Sequence, residues 1–103
     1  MKQIIEKSLE NTYTYQEYRA LVSNLLNDGK ATGNEQSEAL TNYSMLNDKR
    51  MKRLDKTIKL SEETINVIHS LEETQTWLVL TEGWCGDAAQ NLPVINKIAL
   101  ENS

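Results

Sequence analysis

Apolar residues recur along this chain at spacings of three and four, separated by short polar stretches, and the pattern predicts a succession of helices. Residues 2–10 suit a short helix with Ile4, Ile5 and Leu9 on one side. Thr14-Tyr15-Gln16-Glu17 reads as a capping box, in which the Thr14 hydroxyl and the Glu17 carboxylate satisfy orphan N–H groups. It predicts a helix to about Asn27, with Tyr18, Leu21, Leu25 and Leu26 as its apolar stripe. Asp28-Gly29 ends that helix, since glycine accepts the left-handed conformation at a C-terminus. A polar loop, residues 28–35, contains Gly29 and Gly33. From about Gln36 to Ile58, Leu40, Tyr43, Met51, Leu54 and Ile58 fall at helical spacing, with Asn47 interrupting the stripe at its middle. Ser61 reads as the next N-cap, with Glu62 and Glu63 complementing the dipole and Ile65, Ile68 and Leu71 as the buried face. A last helix starts near Cys85 and is expected to bury Leu92, Ile95, Ile98 and Ala99. Pro93 lies inside it, where it removes one backbone hydrogen bond and should kink the helix.

Gln75 to Thr81 breaks the helical rhythm. Trp77-Leu78-Val79-Leu80 is a continuous apolar run flanked by threonines, the composition of a strand buried on both faces. Trp77 accordingly reads as core. The expected fold class is mainly α with one short β-strand. A lone strand cannot satisfy its own backbone groups. The chain is therefore expected to form a homo-oligomer, either by pairing residues 76–81 with a second copy or by bundling helices around them.

Composition narrows the function classes. One hundred and three residues suit one small domain. No run approaches the roughly 18 apolar residues of a membrane span, and Met1-Lys2-Gln3-Ile4-Ile5-Glu6-Lys7 lacks the apolar core of a signal peptide. Neither a membrane nor a secretory partner is expected. Cys85 is the only cysteine, so no intramolecular disulfide is possible, and a cytoplasmic location is expected. The net charge of −4 argues against nucleic acid. The charge is uneven, however. Lys49, Arg50, Lys52, Arg53, Lys56 and Lys59 are six of the 11 basic residues, with only Asp55 opposing them in that window. This run reads most simply as a solvated helix face. His69 has no Cys or second His nearby in sequence, so no metal is expected, and no cofactor.

The candidate chemistry lies in Trp84-Cys85-Gly86-Asp87-Ala88. A cysteine entering a helix meets unpaired N–H groups and the positive end of the dipole, which favour a thiolate. Asp87 opposes this by charge, and Glu82 would add to it if close. Arg50, Arg53 or Lys56 would offset both if one packs near the sulfur. The plainer alternative is a small, half-buried cysteine with no reactivity.

Residues Thr76 to Ala88 resemble the central strand, active-site turn and helix start of the thioredoxin superfamily. Trp84 matches the tryptophan before the nucleophile, Cys85 the nucleophile, and Pro93 the proline of the active-site helix. The helices before them, including Asn42 to Lys56, are similar to a bacterial thioredoxin-like subfamily with a helical N-terminal extension. The resemblance implies residues 1–74 as extension and first helices, and 75–103 as a partial α/β thioredoxin core. Ala88 replaces the resolving cysteine and Val79 the buried proton-shuttling aspartate. The later strands and cis-proline loop have no counterpart after the helix, which implies a truncated chain.

The resemblance implies thiol redox chemistry with Cys85 as nucleophile. Trp84 would shape the rim, Gly86 keep the turn open, and Asp87 tune the thiol and assist proton transfer. Lacking a second cysteine, the chain would act by monothiol exchange on protein or small-molecule disulfides, with an external thiol completing the cycle. The rival expectation is a non-catalytic interaction or scaffold module, or an inactive fragment.

Overall fold

The computed structural model describes residues 2–73 and 75–102, so Met1, Ser103 and the expected boundary residue Thr74 lie outside the described residues. Helix α1 spans Lys2–Glu10, α2 Tyr15–Asn27, α3 Glu38–Thr57, α4 Glu62–His69 and α5 Gly86–Glu101. Their ends follow local chemistry. The Thr14 hydroxyl accepts from the Glu17 N–H at 3.1 Å, and the Glu17 carboxylate accepts from the Thr14 N–H at 2.8 Å. That second bond chiefly holds the Glu17 carboxyl below its ordinary value. Ser37 and Ser61 cap α3 and α4 by accepting from Leu40 N–H and Thr64 N–H, each at 3.1 Å. Gly29 leaves α2 at φ +71.

Helix α3 is the centre of the packing, lying against both α2 and α5, while α4 covers part of α5. Met51, Ala89 and Leu92 form the buried apolar cluster, and Tyr15, Tyr18, Ala88 and Ile95 pack around it. Pro93 is fully buried within α5.

The apolar stripe expected on α3 describes its inner face only in part. That face carries Ser44, Asn47 and Asp48 beside Met51, all buried, whereas Tyr43 is 59% exposed. Buried polar groups are tolerated because each finds a partner. Arg19 of α2 donates to the Asp48 carboxylate at 2.6 Å and to Asp55 at 3.4 Å, and the Tyr15 hydroxyl donates to Asp55 at 2.6 Å. Burial alone would depress Arg19, but the Asp48 bond and charge outweigh it, so its guanidinium is held above its ordinary value. Burial and then the Asp55 carboxylate push the Tyr15 hydroxyl well above the usual tyrosine range. Three smaller expectations also change. Val22, rather than the leucines, is the buried residue of α2. Leu71 and Ala99 are exposed.

The expected short strand is absent, and with it the α/β thioredoxin fold: the described residues contain helices and no strand. Residues 75–80 are irregular and exposed, with Trp77 at 55% and Leu80 at 89%. Residues 75–81 make no backbone–backbone hydrogen bond among the described residues. The physical reason is that strand propensity expresses itself only against a neighbouring strand, which supplies the ladder and the covering side chains. Trp77, read as core, is exposed, and its Nε1 donates to the nearby Gln75 side chain at 3.1 Å.

Because Arg19 bridges α2 to two carboxylates of α3, Arg19→Met should destabilise the chain by about 3 kcal/mol. The value is at the low end for such pairs because Lys52 still reaches Asp48, at 3.5 Å. Urea denaturation read by circular dichroism measures this, and an unchanged midpoint would show that the bridge contributes nothing net.

Candidate functional site

The site is a tight connection whose backbone is held from two directions. Gly83 is buried. Its N–H donates to the Thr32 hydroxyl at 2.8 Å, and its carbonyl accepts from Asn47 Nδ2 at 3.1 Å. Thr32 comes from the polar loop and Asn47 from the inner face of α3, so two separate elements clamp one residue. The Thr32 hydroxyl also donates to the Glu82 carboxylate. That carboxylate lies against Gly33, where a Cβ would come within 3.1 Å of Oε2 and φ is +87. Only glycine fits there without strain. Gln36 braces the same loop, accepting from Ala31 N–H at 3.0 Å and donating to the Ala31 carbonyl at 2.8 Å.

With Gly83 fixed, the Cys85 N–H closes a turn onto the Glu82 carbonyl at 3.0 Å, and the Cys85 carbonyl accepts from Ala89 N–H at 3.1 Å. Cys85 is thus the N-cap of α5, and its side chain makes no capping bond. The residue is half-buried. As N-cap it stands at the end of a 16-residue helix where unpaired N–H groups and the positive end of the dipole lie.

The other residues singled out in sequence fall around it as follows. Trp84 is exposed beside Cys85. Gly86 opens α5, with Arg50 Nη1 3.8 Å from the position its Cβ would take. Asp87 is exposed in the first turn of α5, and its carbonyl accepts from the Asn91 side chain at 2.7 Å. Ala88 packs toward the apolar cluster. Val79 lies in the exposed 75–80 segment. His69 is paired through Nε2 with Glu101 at 2.9 Å.

Tyr18 is a neighbour that the sequence did not disclose. Burial pushes its hydroxyl above the ordinary tyrosine value, a hydrogen bond with the Thr81 hydroxyl pulls it back, the Glu82 carboxylate pushes it up and the Arg19 guanidinium pulls it down. Tyr18 also lines a cleft of about 1180 Å³, together with Thr32, Glu82, Leu9, Ile68 and Trp77. Thr32 and Asn47 were missed for different reasons. Nothing local marks Thr32 as a partner of residues fifty positions away. Asn47 did carry a signal: a polar residue centred on a buried stripe must be hydrogen-bonded to something.

Comparison with known families matches residues 33–103 to the family described as thioredoxin. The chain belongs to the thioredoxin family. The likeness read from the Trp84–Asp87 turn is borne out at that level. The matched region takes in α3, α4, the turn and α5, and leaves out α1 and α2. No curated protein and no solved structure matches the chain. Thioredoxin-family membership supports a redox role in general terms. Among the described residues no helix is long and apolar enough to cross a membrane.

The two hydrogen bonds made by the Thr32 hydroxyl can be tested directly. Thr32→Val should leave the buried Gly83 N–H unpartnered and cost about 2 kcal/mol. Hydrogen exchange at the Gly83 amide should accelerate more than at the α2 amides. Equal acceleration in both places would mean that Thr32 contributes to global stability alone.

Proposed function

We propose that this thioredoxin-family chain carries out monothiol disulfide exchange, with Cys85 as the nucleophile. The observation that carries the reading is the position of Cys85. It is a partly accessible thiol at the N-cap of α5, uncommitted to any capping bond, on a turn clamped by Thr32 and Asn47. The Cys85 thiolate attacks one sulfur of a disulfide. A new bond forms from Cys85, the old S–S bond breaks, and the leaving thiolate takes a proton from water. Position 88 is alanine and the sequence holds no second cysteine, so nothing on the chain can attack the mixed disulfide. An external thiolate of the glutathione type attacks it instead and releases Cys85. Trp84 forms the rim, Gly86 leaves the approach open, and Asp87 supplies a nearby carboxylate for proton transfer. The reading assigns the chain to the cytoplasm, where such thiols are kept reduced.

Oxidised glutathione should add one glutathionyl group to the native chain, and excess reduced glutathione should remove it. Intact-mass spectrometry reads both steps. Cys85→Ser should take up none. Exchange that persists in that variant would defeat the assignment, and a native chain that never forms the adduct would favour the scaffold reading.

The exposed Trp77–Leu80 run supports a further element of the same reading, self-association. Identical extended segments from two copies can satisfy each other's backbone groups and cover each other's apolar side chains. Light scattering behind size exclusion should report a dimer or larger, and Trp77→Lys should shift it toward monomer. A monomeric native chain with a cooperative melt would contradict this element.

A further inference from the structure

Helix α3 turns Asp48 inward, whereas Lys49, Lys52, Arg53 and Lys56 are exposed. Asp48 is engaged by Arg19 and Lys52, and Asp55 by Arg19. Among the described residues, the cationic side chains of Lys49, Arg50, Arg53, Lys56 and Lys59 have no ion-pair partner. The pairs 49–53, 50–53 and 53–56 are three or four residues apart, so these side chains neighbour one another on the helix surface. Like charges at that spacing repel, and no acid pairs with them among the described residues. One end of the stripe reaches the site: Arg50 Nη1 lies 3.8 Å from the Cβ position of Gly86, the residue after Cys85. Two acids are carried by the neighbouring elements. Asp87 is exposed on the first turn of α5, and Glu82 is already bonded by the Thr32 hydroxyl.

We propose that the basic stripe of α3 selects disulfides flanked by carboxylates for attack by Cys85, with Arg50 positioning the carboxylate nearest the reacting sulfur. This rests on the exchange reading above and names its substrate class. Atoms balance as in any exchange. Cys85 passes from thiolate to mixed disulfide, and the departing half of the substrate passes from disulfide to thiol with a proton from water. The local and global charges make opposite forecasts. A net charge of −4 over the chain would disfavour anionic substrates, whereas the stripe favours them.

The test compares adduct formation with oxidised glutathione, which is anionic, and cystamine, which is dicationic. Each rate on the native chain is divided by that on the urea-unfolded chain, which removes the intrinsic reactivity of the probe. At about 0.01 M ionic strength, where screening extends over roughly 30 Å, the normalised anion-to-cation ratio should be raised about tenfold. It should fall toward one at about 1 M salt, where the screening length is roughly 3 Å. Arg50→Gln combined with Arg53→Gln should remove most of the preference by slowing the reaction with oxidised glutathione relative to that with cystamine. Should that variant not fold, the salt series on the unaltered chain still decides. Peptide disulfides flanked by glutamates or by lysines distinguish the source. An advantage for the glutamate peptide supports a polypeptide substrate, and an advantage confined to glutathione disulfide supports a small one. Equal normalised rates, a cation preference, or an anion preference unchanged at high salt would overturn the charge selection. Failure of every probe to react would overturn the exchange reading beneath it.

Discussion

Gly83 has no side chain, yet both of its backbone groups are held by side chains from elsewhere in the molecule. Thr32 takes its N–H and Asn47 supplies a donor to its carbonyl. The placement of everything downstream follows from that clamp. It sets the turn that Cys85 closes onto Glu82, and hence the start of α5 and the orientation of its N-terminus. Two neutral hydrogen bonds contribute only about 1 kcal/mol each in net terms. Their weight comes from the alternative, since a buried peptide group left unpartnered costs more than the bonds return.

The same logic explains the inner face of α3. Its burial of Ser44, Asn47 and Asp48 would be unfavourable for an isolated amphipathic helix. In this chain the Ser44 hydroxyl returns to the Leu40 carbonyl at 2.8 Å, Asn47 holds the turn, and Asp48 receives Arg19. A single helix thus docks α2 through charge, holds the candidate site through an amide, and packs on α5 through Met51 and its apolar neighbours. With Asp48 buried and paired, the exposed Lys49, Lys52, Arg53 and Lys56 produce a local field opposite in sign to that of the chain as a whole.

The 75–81 segment teaches the converse. Its composition is that of a strand, and the thioredoxin likeness of Thr76 to Ala88 pointed the same way. Composition alone does not make a ladder. With no neighbouring extended segment among the described residues, Trp77 to Leu80 stay exposed instead of entering a sheet. Helices survive such isolation better because their backbone bonds close within four residues, so α1 stays helical although none of its residues is buried.

What the sequence by itself determined is local. The capping box at Thr14–Glu17, the serine caps at Ser37 and Ser61, the glycine exit at Gly29 and the helix beginning at Cys85 depend on groups within a few residues of one another. The family, too, was legible from the Trp84–Asp87 turn and Pro93. Tertiary structure alone decided which face of α3 is inside, and that Thr32, Asn47 and Arg50 meet the Cys85 turn. It also decided that residues 75–81 form no strand. These outcomes depend on contacts between residues tens of positions apart, whose partners no local periodicity encodes.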